Sequence, residues 1–293
     1  WETGFREIRQ AHLSNAALAQ RIVTPQEQQA LDRLLTRRQA HEPLQYILGQ
    51  WDFLDYTFHV ESPLLCPRPE TEELVLRAWE QTVQAELSDH DNQKVYRILD
   101  VGCGTGCIGI SLAAMAAAGD LRVHVTAMDV DPVACRVSQE NAQRILGNNS
   151  EAVYQVHHVA AADYQLDDDD NSRFDLIISN PPYIPPHEMA DLDATVQNYE
   201  NHGALCGYDD DGLQIIRQII HQLPKWCRPG ASCWMEVHPT HPALLQEWLS
   251  TSSNDSTNTT YQSLPPANVE FVQSVMDLQG KDRFVQLRVV LIW

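Results

Sequence analysis

The feature that most constrains the fold is a run of strand–helix alternation beginning at Val95. Val95–Val101 reads as a strand, Cys107–Ala118 as a helix, Arg122–Met128 as a strand and Pro132–Leu146 as a helix. Val153–Val159 and Phe174–Ser179 are further predicted strands, Gly212–Leu223 a helix, Ala231–Val237 a strand and Pro242–Ser250 a helix. Strands alternating with helices demand a largely parallel sheet covered on both faces. Val269–Met276 and Arg283–Ile292 close the chain as a hairpin, which adds an antiparallel edge. The expected class is α/β.

The chain ahead of this run differs in kind. Residues 1 to about 40 read as helical. Thr24-Pro25-Gln26-Glu27 combines an N-cap, a proline at the first helical position and a capping-box glutamate, and Leu31, Leu34 and Leu35 follow at helical spacing. A helix from Pro25 to about Arg38 is expected. Tyr46 to Val60 crowds aromatic and aliphatic residues around Gly49 and the Leu54-Asp55 turn, as in a β-hairpin. Pro63, Pro67 and Pro69 then predict an extended segment, Thr71 opens a helix, and the polar stretch Ser88–Lys94 reads as a linker. This divides the chain into residues 1–62, a small helical unit with a hairpin linker, and residues 63–293, the sheet-bearing unit. Two inserts interrupt the larger unit. The run Asp167–Asp170 suits a solvated loop better than a divalent-cation site, and Thr251–Thr260, rich in Ser, Thr and Asn, reads as disordered.

Composition excludes some functions. Forty acidic against 20 basic residues give a net charge of −20, which repels phosphate backbones and weighs against nucleic acid as a direct substrate. No apolar run approaches the roughly 18 residues that span a bilayer; the longest, Cys107 to Ala118, contains Gly109 and Ser111. The seven cysteines include no CxxC pair, so the expectation is reduced thiols packed as small hydrophobes, with no metal site. The chain starts at Trp1 rather than Met, as a fragment or a processed form would.

Two segments carry the chemistry. After the first strand of the alternation comes Asp100-Val101-Gly102-Cys103-Gly104-Thr105-Gly106, running into a helix. Such a loop lets backbone approach a ligand closely, and the helix N-terminus favours a negative group. Its spacing is neither that of a dinucleotide fingerprint nor that of a triphosphate loop. Asp129 ends the next strand, where an acid is placed to accept hydrogen bonds from two ribose hydroxyls, while Asp131 is the better N-cap for the helix at Pro132. Loop and acid together indicate a bound adenosine.

The fourth strand of the alternation ends in Ser179-Asn180-Pro181-Pro182-Tyr183. Ligands in open α/β sheets sit beyond the carboxyl ends of strands at the switch in strand order, so Asn180 should face the glycine loop. An amide nitrogen is a poor nucleophile because its lone pair is delocalised. The Asn180 side-chain oxygen and the Pro181 carbonyl could accept its two hydrogens and aim the lone pair at a sulfonium methyl. Pro181 and Pro182 stiffen the segment, and Tyr183 offers a flat face for a planar amide.

With these residues the chain resembles the class I methyltransferases that modify planar nitrogens. Other segments narrow the resemblance: Pro43–Gly49, Trp51-Asp52-Phe53, Pro67–Glu72, Gly207–Gly212 into Leu213, Gly230–Glu236 and Asp277–Arg283 are similar to the HemK family, the glutamine N5-methyltransferases of peptide chain release factors. The resemblance implies a Rossmann-like methyltransferase sheet, S-adenosylmethionine as cofactor, and the glutamine of a Gly-Gly-Gln loop in a release factor as substrate. It implies cofactor binding by Asp100, Gly102, Cys103, Gly104, Thr105, Gly106, Asp129 and Asn180. Tyr164, in Asp163-Tyr164, implies an aromatic neighbour for the adenine. Asn180, Pro181, Pro182 and Tyr183 are the implied substrate site, with Asn180, Pro181 and Tyr183 catalytic. Glu236-Val237-His238 and Asn198-Tyr199-Glu200 depart from the family pattern.

Three other readings compete. A ribosomal-protein glutamine methyltransferase shares the tetrapeptide but differs at Pro67–Glu72. A nucleic-acid amino methyltransferase calls for a basic groove, whereas Arg6, Arg9, Arg21, Arg33, Arg37 and Arg38 form no dense cluster. A non-catalytic binder has no use for Asn180–Tyr183. The full N-terminal unit and polar inserts suit a mitochondrial or other organelle matrix, with bacterial cytoplasm as the alternative.

Overall fold

The structure, a computed structural model, describes residues 23–88, 95–166, 172–251 and 264–291. The readings of residues 1–22, of most of the Ser88–Lys94 linker, of Asp167–Asp170 and of all but the first residue of Thr251–Thr260 lie outside the described residues.

Helix α1, Pro25–Gln39, begins with the predicted capping box, in which Thr24 and Glu27 each satisfy the other's backbone N–H. Helix α2, Leu44–Leu48, was expected as the start of a hairpin. Gly49 explains the difference: it sits at φ +68° and ends one turn of helix, its N–H bonded to the Gln45 carbonyl. The hairpin follows as β1, Gln50–Phe53, and β2, Tyr56–His59, joined through Leu54-Asp55. Although the sequence reading grouped this hairpin with the first 62 residues, its Phe53 and Phe58 are buried in the core of the larger unit.

Helix α3, Pro69–Ala78, opens two residues before the expected Thr71, because Pro69 takes the first helical position with its φ already set. The sheet strands are β3 (Tyr96–Val101), β4 (Val123–Asp129), β5 (Tyr154–His158), β6 (Phe174–Ser179), β7 (Cys227–Glu236), β8 (Val269–Met276) and β9 (Asp282–Val289). Their order is β5-β4-β3-β6-β7-β9-β8, parallel through β7, with β9 antiparallel to both neighbours. The expected Rossmann-like sheet and its C-terminal antiparallel hairpin are both present. The chain runs outward from β3 to β5, then returns to lay β6 on the other side of β3. That reversal is the switch point at which such sheets bind ligands.

Both faces of the parallel strands are covered. Ile98, Val125, Ile178 and Trp234 face α3 and helix α4, Cys107–Ala118. Leu99, Ile177 and Met235 face helices α6, Gln214–Trp226, and α7, His241–Ser250. Helix α5, Pro132–Leu146, packs on β4 and β5. Each fully buried aliphatic side chain contributes about 1.5–3 kcal/mol. Most of α4 is buried, which is why its sequence is apolar all round.

Helix α6 continues past its expected end at Leu223 to Trp226, through Pro224. Arg173 makes this possible: its Nη1 donates to the carbonyls of Pro224, Lys225 and Cys227, each at 3.2 Å, and so satisfies groups that the helix end leaves unpaired. The seven cysteines are free thiols. Burial pushes Cys66 and Cys107 up to about 12, which keeps both protonated.

Candidate active site

The loop after β3 is folded by its glycines. Gly102 and Cys103 both donate N–H to the Met128 carbonyl, at 2.9 and 3.0 Å, and Gly106 N–H bonds the Cys103 carbonyl at 2.7 Å. Gly102, Gly104 and Gly106 all have positive φ, at +74°, +53° and +82°. A Cβ on Gly102 or Gly104 would meet nothing within 4 Å, so these two border open space. Gly106 is different. A Cβ there would stand 2.5 Å from Ser138 Oγ and 2.6 Å from Ile110 Cδ1. Two glycines leave room for a ligand and the third lets α4 pack against α5.

Asp129, at the tip of β4, accepts the Gly104 N–H at 2.9 Å on Oδ2 and the Asp131 N–H at 2.9 Å on Oδ1. Each oxygen keeps a second acceptor site for a hydroxyl. Burial raises its carboxyl, and the N–H donors of Asp131 and Gly104 oppose that rise. Asp131 caps α5 as expected, accepting the Val133 N–H at 2.8 Å.

Three of the implied cofactor residues have buried side chains. Asp100 has no exposed surface; its Oδ2 accepts the Gly109 N–H at 2.9 Å, while Oδ1 has no partner in the structure. Burial pushes its carboxyl up to about 7. Cys103 and Thr105 are 3% and 2% exposed, so their side chains also point away from the open side. All three shape the loop from behind, because β3 is covered on both faces and Asp100 lies on the same face as buried Ile98. The loop is tied further by Asn141 of α5. Its Nδ2 donates to the Thr105 carbonyl at 2.9 Å and to the His59 carbonyl at 3.1 Å, while its Oδ1 accepts the His59 N–H at 2.7 Å.

β6 lies beside β3 in register Val101↔Ser179, with Ser179 Oγ donating to the Val101 carbonyl at 2.6 Å. Asn180 therefore begins where the glycine loop begins. Its Nδ2 donates to Thr71 Oγ1 at 3.0 Å, and the Thr71 hydroxyl donates to Glu236 Oε2 at 2.7 Å. Tyr183 donates its hydroxyl to Glu236 Oε1 at 3.0 Å and accepts from Arg283 Nη1 at 3.4 Å, while Arg283 Nε bonds Asp277 at 3.2 Å. The backbone beyond Pro182 is fixed too, since Tyr183 and Ile184 both donate to the Leu205 carbonyl.

Asn180, Pro181, Tyr183, Arg68 and Glu236 line a cavity of about 140 Å³. The Arg68 guanidinium is engaged by the nearly buried Glu200, at 2.7 and 2.9 Å. Tyr164 stands past the end of β5, its ring edge-on to His157 and Trp226 at 5.7 and 6.1 Å. The chain between β5 and Tyr164 is pinned to Asp129 by the Val159 N–H at 3.0 Å.

Thr71, Glu236, Arg283, Asp277, Arg68, Glu200 and Asn141 belong to the site without a sequence signal of their role. The first six fall in segments that carry the family resemblance or depart from it. The open glycine cradle and the paired acceptors of Asp129 fit S-adenosylmethionine, the cofactor the resemblance implies.

Comparison with known proteins agrees with this geometry. Residues 83–198 match the methyltransferase small domain, and residues 13–49 match the PrmC N-terminal domain. The human MTRF1L release factor glutamine methyltransferase is 32% identical over 93% of this chain and 75% of its own length. Release factor glutamine methyltransferases of Koribacter versatilis and Chlorobaculum tepidum are 32% and 34% identical, over 78% and 80% of this chain and 76% of their own lengths in both cases. On this evidence the chain belongs to the family of release factor glutamine methyltransferases.

Proposed function

We propose that this chain transfers the methyl group of S-adenosylmethionine to the side-chain amide nitrogen, N5, of the glutamine in the Gly-Gly-Gln loop of a peptide chain release factor. The observation that carries this reading is Asn180 beside the glycine loop, its amide nitrogen held by Thr71, at the wall of the 140 Å³ cavity.

When bound, S-adenosylmethionine supplies an electrophilic sulfonium methyl. The chain's own part is to position and orient. Gly102 and Gly104 leave backbone open to the cofactor, Gly106 closes the loop onto α5, and Asp129 holds the ribose hydroxyls. Asp100, Cys103 and Thr105 support the loop from behind, and Tyr164 neighbours the adenine. Asn180 Oδ1 and the Pro181 carbonyl accept the two amide hydrogens and turn the nitrogen lone pair toward the cofactor. Pro182 stiffens that segment and Tyr183 walls the amide plane. Asp129→Ala is expected to weaken S-adenosylmethionine binding about 10–100-fold by calorimetry, because two ribose hydroxyls lose a charged acceptor.

In this reading residues 1–62 grip a second part of the factor and residues 63–293 carry the reaction; the match of residues 13–49 to the PrmC N-terminal domain supports the division. No helix among the described residues is long and apolar enough to cross a membrane. The location that goes with this reading is a mitochondrial or other organelle matrix. Bacterial cytoplasm is the alternative, and imaging the tagged full-length protein in its native cell decides between them.

The testing experiment incubates the protein with S-adenosylmethionine and a recombinant organellar or bacterial release factor, followed by mass spectrometry of the Gly-Gly-Gln peptide. A gain of one methyl on that glutamine is expected. Methylation of RNA, DNA or a ribosomal protein instead would overturn the substrate.

A further inference from the structure

We propose that Glu236 and Thr71 fix the hydrogen-bond polarity of Asn180 and thereby make the cavity select a carboxamide over a carboxylate. This rests on the methyltransferase reading above and adds the device that sets substrate class. A guanidinium has only donors, so the 3.4 Å contact of Arg283 Nη1 makes the Tyr183 oxygen an acceptor. The single Tyr183 proton is then given to Glu236 Oε1 at 3.0 Å.

Glu236 is 1% exposed and lies between Tyr183 on one oxygen and Thr71 on the other. Both neighbours donate to it, which favours the carboxylate against the rise that burial imposes. Thr71, itself 3% exposed, has one proton, and it goes to Oε2 at 2.7 Å. The Thr71 oxygen can therefore only accept from Asn180, and the amide nitrogen is the sole Asn180 atom able to donate. The carbonyl oxygen Oδ1 is thus the Asn180 atom left for the cavity. Burial of Glu236 and Thr71 keeps water from reversing the order.

The same order rejects acids. A glutamate side chain in the cavity would meet Asn180 Oδ1, the Pro181 carbonyl and the charge of Glu236, all of them acceptors or negative. The nearby cations do not compensate, because Arg68 is held by Glu200 and Arg283 by Asp277. A glutamine amide presents two donors to the same oxygens.

Glu236→Gln keeps the volume and supplies an amide that can donate to Thr71. Thr71 can then donate to Asn180 Oδ1, turning the Asn180 amide nitrogen toward the cavity. Thr71→Val keeps the shape and removes the relay; Thr71→Ser keeps the relay. We expect Glu236→Gln and Thr71→Val to lower kcat/KM for the release factor about 10²-fold, and Thr71→Ser to stay within about fivefold of wild type. S-adenosylmethionine affinity and melting temperature, followed in parallel, should move little.

The second readout does not depend on methyl transfer. In calorimetry with a Gly-Gly-Gln peptide and its Gly-Gly-Glu analogue, wild type should prefer the amide and Glu236→Gln should lose most of that preference. Glu236→Gln within threefold of wild type in kcat/KM, an unchanged Gln/Glu preference in that variant, or a Thr71→Ser loss as deep as that of Thr71→Val would overturn the proposal. Failure of wild type to methylate the factor while it still prefers the amide peptide would strike the release-factor reading and leave the polarity relay standing. Wild type binding neither peptide would overturn both.

Discussion

Asn180→Ala is expected to lower kcat/KM for release-factor methylation by about 10²–10³-fold, equivalent to about 3–4 kcal/mol of transition-state stabilisation. The loss follows from geometry. An amide nitrogen attacks only when its hydrogens are held so that the lone pair points at the methyl carbon. Alanine removes one of the two acceptors that hold them and leaves the Thr71 hydroxyl without its donor. Since Asn180 is also an implied cofactor contact, S-adenosylmethionine affinity is measured alongside single-turnover rates. A rate within tenfold of wild type would show that the Pro181 carbonyl and the cavity walls suffice to orient the amide, and Asn180 would lose its place in the mechanism.

Gly207→Ala is the second large effect, and it acts through the backbone. A Cβ at Gly207 would stand 2.0 Å from the Gly212 carbonyl oxygen and 2.4 Å from its carbon. Gly212 cannot withdraw: its φ is +75°, and its own Cβ position is 2.5 Å from the Tyr183 carbonyl oxygen. Gly207 also donates to the Ile184 carbonyl at 2.9 Å and accepts from Gln214 at 3.2 Å, so the 207–212 loop clamps the segment carrying Tyr183. A methyl forced into this contact is expected to cost about 3 kcal/mol or more, lowering the melting temperature by roughly 5–10 °C. Activity should fall at least tenfold even well below that temperature, because Tyr183 and Ile184 must shift. A melting curve superimposable on that of wild type would show that the loop can relax without cost.

Much of this site was legible in sequence because its strongest signals are local. A glycine loop between strand and helix, an acid at the next strand tip and Asn-Pro-Pro-Tyr after the strand beside it each occupy a few consecutive residues. The helix bounds Cys107–Ala118 and Pro132–Leu146 agree with prediction for the same reason, since glycine, aspartate and proline punctuate them. The polarity chain was not legible. Thr71, Asn180, Glu236 and Arg283 come from α3, the end of β6, the end of β7 and β9, and only the sheet order brings them together. Nor does a sequence pattern say which way Asp100 points, because a strand covered on both faces has no solvent side to mark the alternation. The end of α6 is not legible because a proline near a helix terminus reads as a stop unless a distant arginine is known to donate to the exposed carbonyls.

The bridge made by Asn141 couples the hairpin and the glycine loop thermodynamically. His59 is 82 residues away from it and Thr105 is 36, so the bridge closes large loops of chain that remain open until α5 has docked. The glycine loop should therefore acquire its shape late in folding and in step with the hairpin. Linkage is reciprocal: if the docked hairpin favours cofactor binding, bound cofactor must favour the docked hairpin by the same free energy. Amide hydrogen exchange at His59 should accordingly slow when S-adenosylmethionine is added, and a mutation that loosens β2 should weaken cofactor affinity without touching the cofactor.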